Sequence, residues 1–267
     1  MGTVTDILDS RDVLRNLLLR ELKSSYKGSV LGFMWSLLNP LVTMAIFTVV
    51  FSVVLQVQLP PNAQGVRSFP AFLLVGLLPW SLISLSMSAG ATSLVANGNL
   101  IRKVYFFRVT LPASVVLANA VNFLVGMGLL LVFLVVLGVD FWSSIWLLPV
   151  PLLALLMLSL GLALLTSVAN LYYRDIQYLV GLVTMAWFYA TPIIYPLGFV
   201  ERVGEPWLTL YRLNPATALI ETFRAILYDG RLPGAQDLLW SLGTALAVLA
   251  VGWLVFRRAE PHFAEEV

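Results

Sequence analysis

The charged side chains of this sequence gather in a few short places, and each gathering limits the chemistry available. In NGNLIRKVYFFRVTLP, residues 97–112, Arg102, Lys103 and Arg108 surround Val104, Tyr105, Phe106 and Phe107. Aromatic and arginine side chains dominate interface hot spots, so this is a candidate knob for docking a partner. The same residues would also anchor a segment among lipid headgroups. A second gathering, TDILDSRDVLRNLLLRELKSSYK, sets Arg11, Arg15 and Lys23 on other faces than Leu14, Leu17, Leu18 and Leu22, which recur at helical spacing. Such a helix suits the bilayer interface, its cations near phosphates; packing against another surface is the alternative. Residues 1–27 lack an apolar core long enough for a signal peptide.

Elsewhere the polar groups are mostly hydroxyls and amides. Ser81, Ser84 and Ser88 share one helical face just after Gly76 and Pro79, a pattern of close helix packing or of a hydroxyl-lined conduit. Trp187, Phe188, Tyr189 and Thr191 precede Pro192. Their aromatic faces would suit sugar rings, and equally a membrane-interface belt. Asn214-Pro215 reads as a cap and first turn, followed by Leu219, Ile220, Phe223, Ile226 and Leu227 on one face, with Glu221 and Arg224 on the polar side. At about 1.5 Å per residue this helix is too short to span; it would dip in, or lie flat as an external lid. No nucleophile and base come together, and the one histidine, His262, sits in the tail. There is no cysteine, no Walker GxxxxGK, and only three lysines, Lys23, Lys27 and Lys103. If the chain moves anything uphill, the energy must come from another polypeptide.

The elements that must position these groups are set by composition. Of 267 residues 60% are apolar and 11% charged, against about 25% charged in a soluble domain. The net charge of +2 gives no basic face for nucleic acid. Windows without charge at 31–57, 70–95, 111–138, 145–170, 176–195 and 237–256 predict six transmembrane helices, since about 20 apolar residues cross about 30 Å of hydrocarbon. They carry essentially no ionisable residue at their centres, which argues against an ion-coupled transporter. Eleven Lys and Arg fall on the side of the N-terminus, the 97–110 segment, the 171–177 loop and the tail, against five opposite. That bias predicts cytoplasmic termini. The expected architecture is therefore an all-α integral membrane protein. An amphipathic N-terminal segment (1–30) precedes a permease domain (31–256), and a short tail (257–267) follows. Within the permease domain, residues 97–110 would form a short cytoplasmic helix, capped by Asn97 or Asn99 and stopped at Thr110-Leu111-Pro112. Residues 196–236 would lie outside.

Five stretches in order carry a resemblance: LLLRELKSSYKGSVLGFMWSLLNPL (17–41), NLIRKVYFFRVTLP (99–112), NLYYRDIQYL (170–179), WFYATPIIYP (187–196) and LNPATALIETFRAIL (213–227). Over nearly its whole length the chain resembles the permease subunits of polysaccharide-exporting ABC transporters, the type-2 permeases that move O-antigen or teichoic acid. It departs from their usual KVYFPREILP at Phe107 and Val109. The resemblance implies a homodimer resting on two separate ATPase subunits, which hold the ATP and magnesium, while this chain binds no cofactor. It implies an N-terminal interface helix and a coupling helix comprising Asn99, Leu100, Ile101, Arg102, Lys103, Val104, Tyr105, Phe106, Phe107 and Arg108. A smaller contact would lie at Arg174 and Asp175. It implies a glycan on a polyprenyl diphosphate as cargo, with Arg20, Lys23, Tyr26 and Lys27 as candidates to steer the diphosphate. Ser81, Ser84, Ser88, Trp187, Phe188, Tyr189, Thr191, Asn214, Glu221 and Arg224 are candidates for the channel or its outer gate. A permease of the same build for a drug or smaller lipid is the alternative.

Overall fold

Inside a bilayer the backbone has no solvent partner and must close its own hydrogen bonds, which helices do. In the computed structural model, which describes residues 4–26, 29, 32–56, 61–103 and 106–266, every regular element is a helix. In chain order these are α1 (Val4–Tyr26), α2 (Trp35–Phe47), α3 (Phe69–Ala96), α4 (Gly98–Lys103), α5 (Thr110–Val136) and α6 (Pro149–Tyr172). There follow α7 (Ile176–Tyr189), α8 (Gly198–Val203), α9 (Trp207–Leu213), α10 (Pro215–Leu227), α11 (Ala235–Ala259) and α12 (Phe263–Glu266). Beyond Phe47, α2 winds on in wider π-helical turns over Thr48–Val54.

Five segments are long and apolar enough to cross a membrane: Leu37–Val54, Phe69–Ala96, Thr110–Val136, Ile145–Tyr172 and Ala235–His262. The chain is an all-α, multi-pass membrane protein. The segment expected as a further span at 176–195 is shorter. Its helix α7 has 14 residues, about 21 Å against a hydrocarbon core of about 30 Å. It ends because Thr191 precedes Pro192, and a residue before proline is driven out of the helical region. Residues 190–195 instead make a tucked-in turn in which Thr191 and Ile193 are fully buried.

The most enclosed of the five membrane-crossing segments is α3, which packs against α5, α6, α7 and α10. Two contacts between these long helices require glycine. A Cβ on Gly90 of α3 would lie 2.7 Å from the Cβ of Ala163 on α6, and one on Gly252 of α11 would lie 2.4 Å from the Gly161 carbonyl oxygen on α6. Without water to drive association, such close approach supplies the dispersion contacts that hold helices together. A buried amide bond and a part-buried hydroxyl bond also join α6 to α3: Asn170 Nδ2 donates to Ala91 O (2.9 Å) and Thr166 Oγ1 to Met87 O (3.0 Å).

Two sequence expectations are resolved here. Of the two arrangements expected for α10, it dips in and does not lie flat over the surface: Ala216, Leu219, Ile220, Phe223, Ile226 and Leu227 are buried, and it packs on α3, α6 and α11. An amphipathic stripe long enough to cover a surface is equally suited to enter a bundle, and here its polar side finds partners too. The helix expected over 97–110 also does not reach 110: α4 is described over Gly98–Lys103, and Phe106 and Phe107 lie outside any helix. Thr110-Leu111-Pro112 opens α5, with Pro112 in a first turn where a missing N–H costs nothing.

Candidate functional site

At one end of the bundle α4 follows α3 almost directly, and Asn97 builds the joint. Its Nδ2 donates to Ser93 O (2.8 Å), and its Oδ1 accepts from Arg20 Nη2 of α1 (2.7 Å). The start of α4 is satisfied by the Asn97 backbone carbonyl, which takes the N–H groups of Leu100 and Ile101. Arg20 also pairs with Glu21 at 3.1 Å, whereas Lys23 stands exposed at the end of α1. Leu17 anchors α1 in a local apolar cluster with Leu94, Ile101, Leu111, Phe256 and Phe263. Lys27, Val104, Tyr105 and the side chain of Tyr26 lie outside the described residues.

This geometry divides the aromatic and cationic knob. Ile101 is buried, and Leu100 and Phe106 pack against the cluster. Asn99, Arg102, Lys103 and Phe107 face outward. Arg108 turns away from that surface: its Nη1 donates to the Glu260 carbonyl, and its guanidinium lies 5.9 Å from the Phe263 ring centroid. Arg174 donates to the Glu266 carbonyl at 3.5 Å, and Asp175 is exposed at the start of α7. The tail therefore folds back as part of this end. Its signal in the sequence was Phe263, an aromatic residue amid polar ones.

A groove of about 280 Å³ runs between α2, α3 and α5, with Trp35, Asn39, Thr43, Ser81, Asn119 and Asn122 among its lining. Counted along α3 and α5, Ser81 and Asn119 lie many residues from the helix ends, at the depth of the hydrocarbon core. Asn39 is exposed, and Asn119 Nδ2 is buried with no hydrogen-bond partner among the described residues. A bare amide at that depth is costly unless something polar occupies the groove. Of the serines, only Ser81 reaches it. Its hydroxyl donates to Leu77 O (2.8 Å) and that of Ser84 to Ser81 O (3.2 Å), so both bond their own helix; Ser88 is exposed farther along. The three asparagines were the groups that sequence reasoning missed, although an amide inside an uncharged window is itself the signal.

At the opposite end the expected gate residues come together around Asn214. Its Oδ1 accepts from Trp187 Nε1 (2.9 Å) and Ala216 N (3.0 Å), capping α10. Its Nδ2 donates to Thr191 Oγ1 (3.0 Å) and Ala190 O (3.1 Å), satisfying the frayed end of α7. Trp187 and Phe188 pack on Trp80 of α3 at 5.5 and 5.9 Å, and Phe188 meets Phe47 of α2 at 6.1 Å. Tyr189 is half exposed, and its carbonyl accepts from the Tyr195 hydroxyl at 2.6 Å. The Tyr195 and Tyr211 hydroxyls meet at 2.8 Å, and burial, then this bond, pushes the Tyr195 phenol above its ordinary pKa.

Arg224 does not lie on a polar face, as its spacing from Glu221 had suggested. It is 3% exposed, with its guanidinium 3.7 Å from the Phe72 ring centroid. Nη1 donates to Glu221 Oε1 (2.8 Å) and to Pro192 O, and Nη2 to Ile193 O (2.6 Å). Gly76 makes room for it: a Cβ there would sit 3.1 Å from Nη2. The planar fork thus holds the two carbonyls that the proline-broken turn leaves without helical partners.

The chain matches the ABC-2 type transporter family over residues 13–228. It is 35% identical to the O-antigen export system permease protein RfbA of Myxococcus xanthus, covering 99% of this chain and 98% of that one. It is 32% identical to a Klebsiella pneumoniae protein of the same name over 95% of this chain and 94% of that one. The polysialic acid transport protein KpsM of Escherichia coli is 23% identical over 91% and 92%. A match over most of the chain, with full-length relatives above 30% identity, settles the family: this protein belongs to the ABC-2 type transporters.

Proposed function

We propose that this chain is the membrane-spanning permease of an ATP-driven exporter that carries lipid-linked polysaccharide out across the plasma membrane. One observation carries the reading: the likeness to permeases of O-antigen export covers 99% of this chain and 98% of one such permease. The chain catalyses no reaction itself. Two copies pair, and each rests on a nucleotide-binding subunit that holds ATP and magnesium.

The Lys and Arg bias supports a cytoplasmic side for the end that carries α1, α4 and the tail. There Asn99, Arg102, Lys103 and Phe107 offer the ATPase an exposed face of positive charge and aromatic surface. Ile101 and Phe106, rooted in the cluster below, transmit its displacement to α3 and α5. Lys23, with Lys27 and Tyr26, is suited to meet the diphosphate of the lipid carrier. Arg20 instead braces α1 against Asn97.

The amide-lined groove supplies hydrogen-bonding surface at a depth where lipid supplies none, which suits the hydroxyls of a glycan passing between protomers. At the outer end Asn214 and Arg224 keep the α7 to α10 turn closed. Co-expression with the cognate ATPase and assay of ATP-dependent glycan translocation tests the reading. A preparation that instead moves a small lipid or drug, and no glycan, would reassign the cargo.

A further inference from the structure

A cavity of about 1080 Å³ opens between α8, α9, α10 and the first turns of α11, at the end away from α4. We propose that it is a saccharide-binding site that holds the sugar chain as it leaves the permease, an inference that rests on the polysaccharide reading above. Its volume is just above the roughly 300–1,000 Å³ of ordinary ligand pockets, room for more than one sugar ring. Its walls carry three carboxylates (Glu201, Glu221, Asp237) against two guanidiniums (Arg212, Arg231).

That balance disfavours a phosphate headgroup, which would need an excess of positive charge. It fits a polyol, whose hydroxyls donate to carboxylates and accept from guanidinium and amide N–H groups. Trp240, 40% exposed, offers an indole on which the apolar face of a sugar ring can lie. Independently, Thr217 lines the cavity, is 2% exposed, and its Oγ1 has no hydrogen-bond partner among the described residues. A buried hydroxyl without a partner on a cavity wall is the kind of group a ligand completes.

The site also reaches the closed turn beside it. Glu221 lines the cavity, and its carboxylate holds Arg224, which in turn holds the Pro192 and Ile193 carbonyls. A sugar hydroxyl competing for Glu221 would loosen that grip while the chain is passing. An occupied site outside the membrane would also oppose backsliding.

The test uses the permease–ATPase complex in nanodiscs and polysaccharide from the source cells, freed of its lipid by mild acid, with calorimetry as the readout. Saturable binding is expected, weakened about tenfold in Trp240→Ala and largely restored in Trp240→Phe. The thermal unfolding midpoint of each variant establishes that it is folded. Equal binding by Trp240→Ala and wild type, or release of bound phospholipid in place of sugar binding, would overturn the site. ATP-driven glycan movement in the same wild-type complex separates the two failures. Movement without binding removes only this site, whereas no movement removes the export reading with it.

Discussion

Arg224 sits over Phe72, its guanidinium carbon 3.7 Å from the ring centroid, with its fork on the carbonyls of a turn from a different part of the chain. This single contact ties α10, α3 and the α7 to α8 turn into one unit. Arg224→Met removes the donors while leaving Glu221 and two carbonyls in place, and should cost on the order of 3 kcal/mol. Arg224→Lys should recover little, since a point charge cannot hold two carbonyls and lie on an aromatic face together. Gly76→Ala, which crowds Nη2 at 3.1 Å, should fall between wild type and Arg224→Met. Thermal unfolding in one detergent checks the order.

Asn214 uses both ends of its amide, so the isosteric Asn214→Asp tests the bracket cleanly. The change replaces a donor with an oxygen facing Ala190 O and Thr191 Oγ1. A loss of about 1–2 kcal/mol is expected from the unsatisfied pair. Protease nicking within residues 190–214 should rise along with it. Unchanged protection would mean that aromatic packing alone holds the turn.

Surface and root of the knob should separate. Phe107→Ala with Arg102→Glu alters outward-facing groups, and should abolish transport-coupled ATP hydrolysis with a stability change within about 0.5 kcal/mol. Phe106→Ala should instead lower stability by about 2 kcal/mol, because it leaves a void against the Leu17 and Phe263 cluster. ATPase activity of the assembled complex and unfolding of the permease are the two readouts. Full coupling in the double variant would return this segment to membrane anchoring.

Arg108 fastens the tail. Arg108→Gln should raise amide hydrogen exchange across residues 260–266 while leaving α3 protected.

These contacts explain which parts of the molecule could be read in advance. The all-helical membrane architecture and the positions of α3, α5, α6 and α11 follow from charge-free windows, because hydrocarbon leaves the backbone few choices. The Asn214-Pro215 cap was legible for the same local reason. Arg224 was not, since spacing from Glu221 says only that two residues share a side, and whether that side meets water depends on Gly76 and Phe72, far away in sequence. The division of the knob into Ile101 and Phe106 inside and Phe107 outside likewise depends on Phe263, which only the folded tail brings near. The asparagines at 39, 119 and 122 were visible but uncharged, and drew less weight than the serines, whose hydroxyls bond their own helices.

Asn119→Leu should slow glycan export several-fold while the protein still inserts and unfolds at or above the wild-type temperature, since the replaced Nδ2 has no hydrogen-bond partner among the described residues. Export at the wild-type rate would place the path elsewhere.

The most direct measurement is translocation of lipid-linked glycan in proteoliposomes containing the permease with or without its ATPase. Glycan should cross only when both subunits and hydrolysable ATP are present, and no ion gradient should substitute. Transport by the permease alone, driven by protons or sodium, would contradict the central claim that this chain is a conduit worked from outside itself.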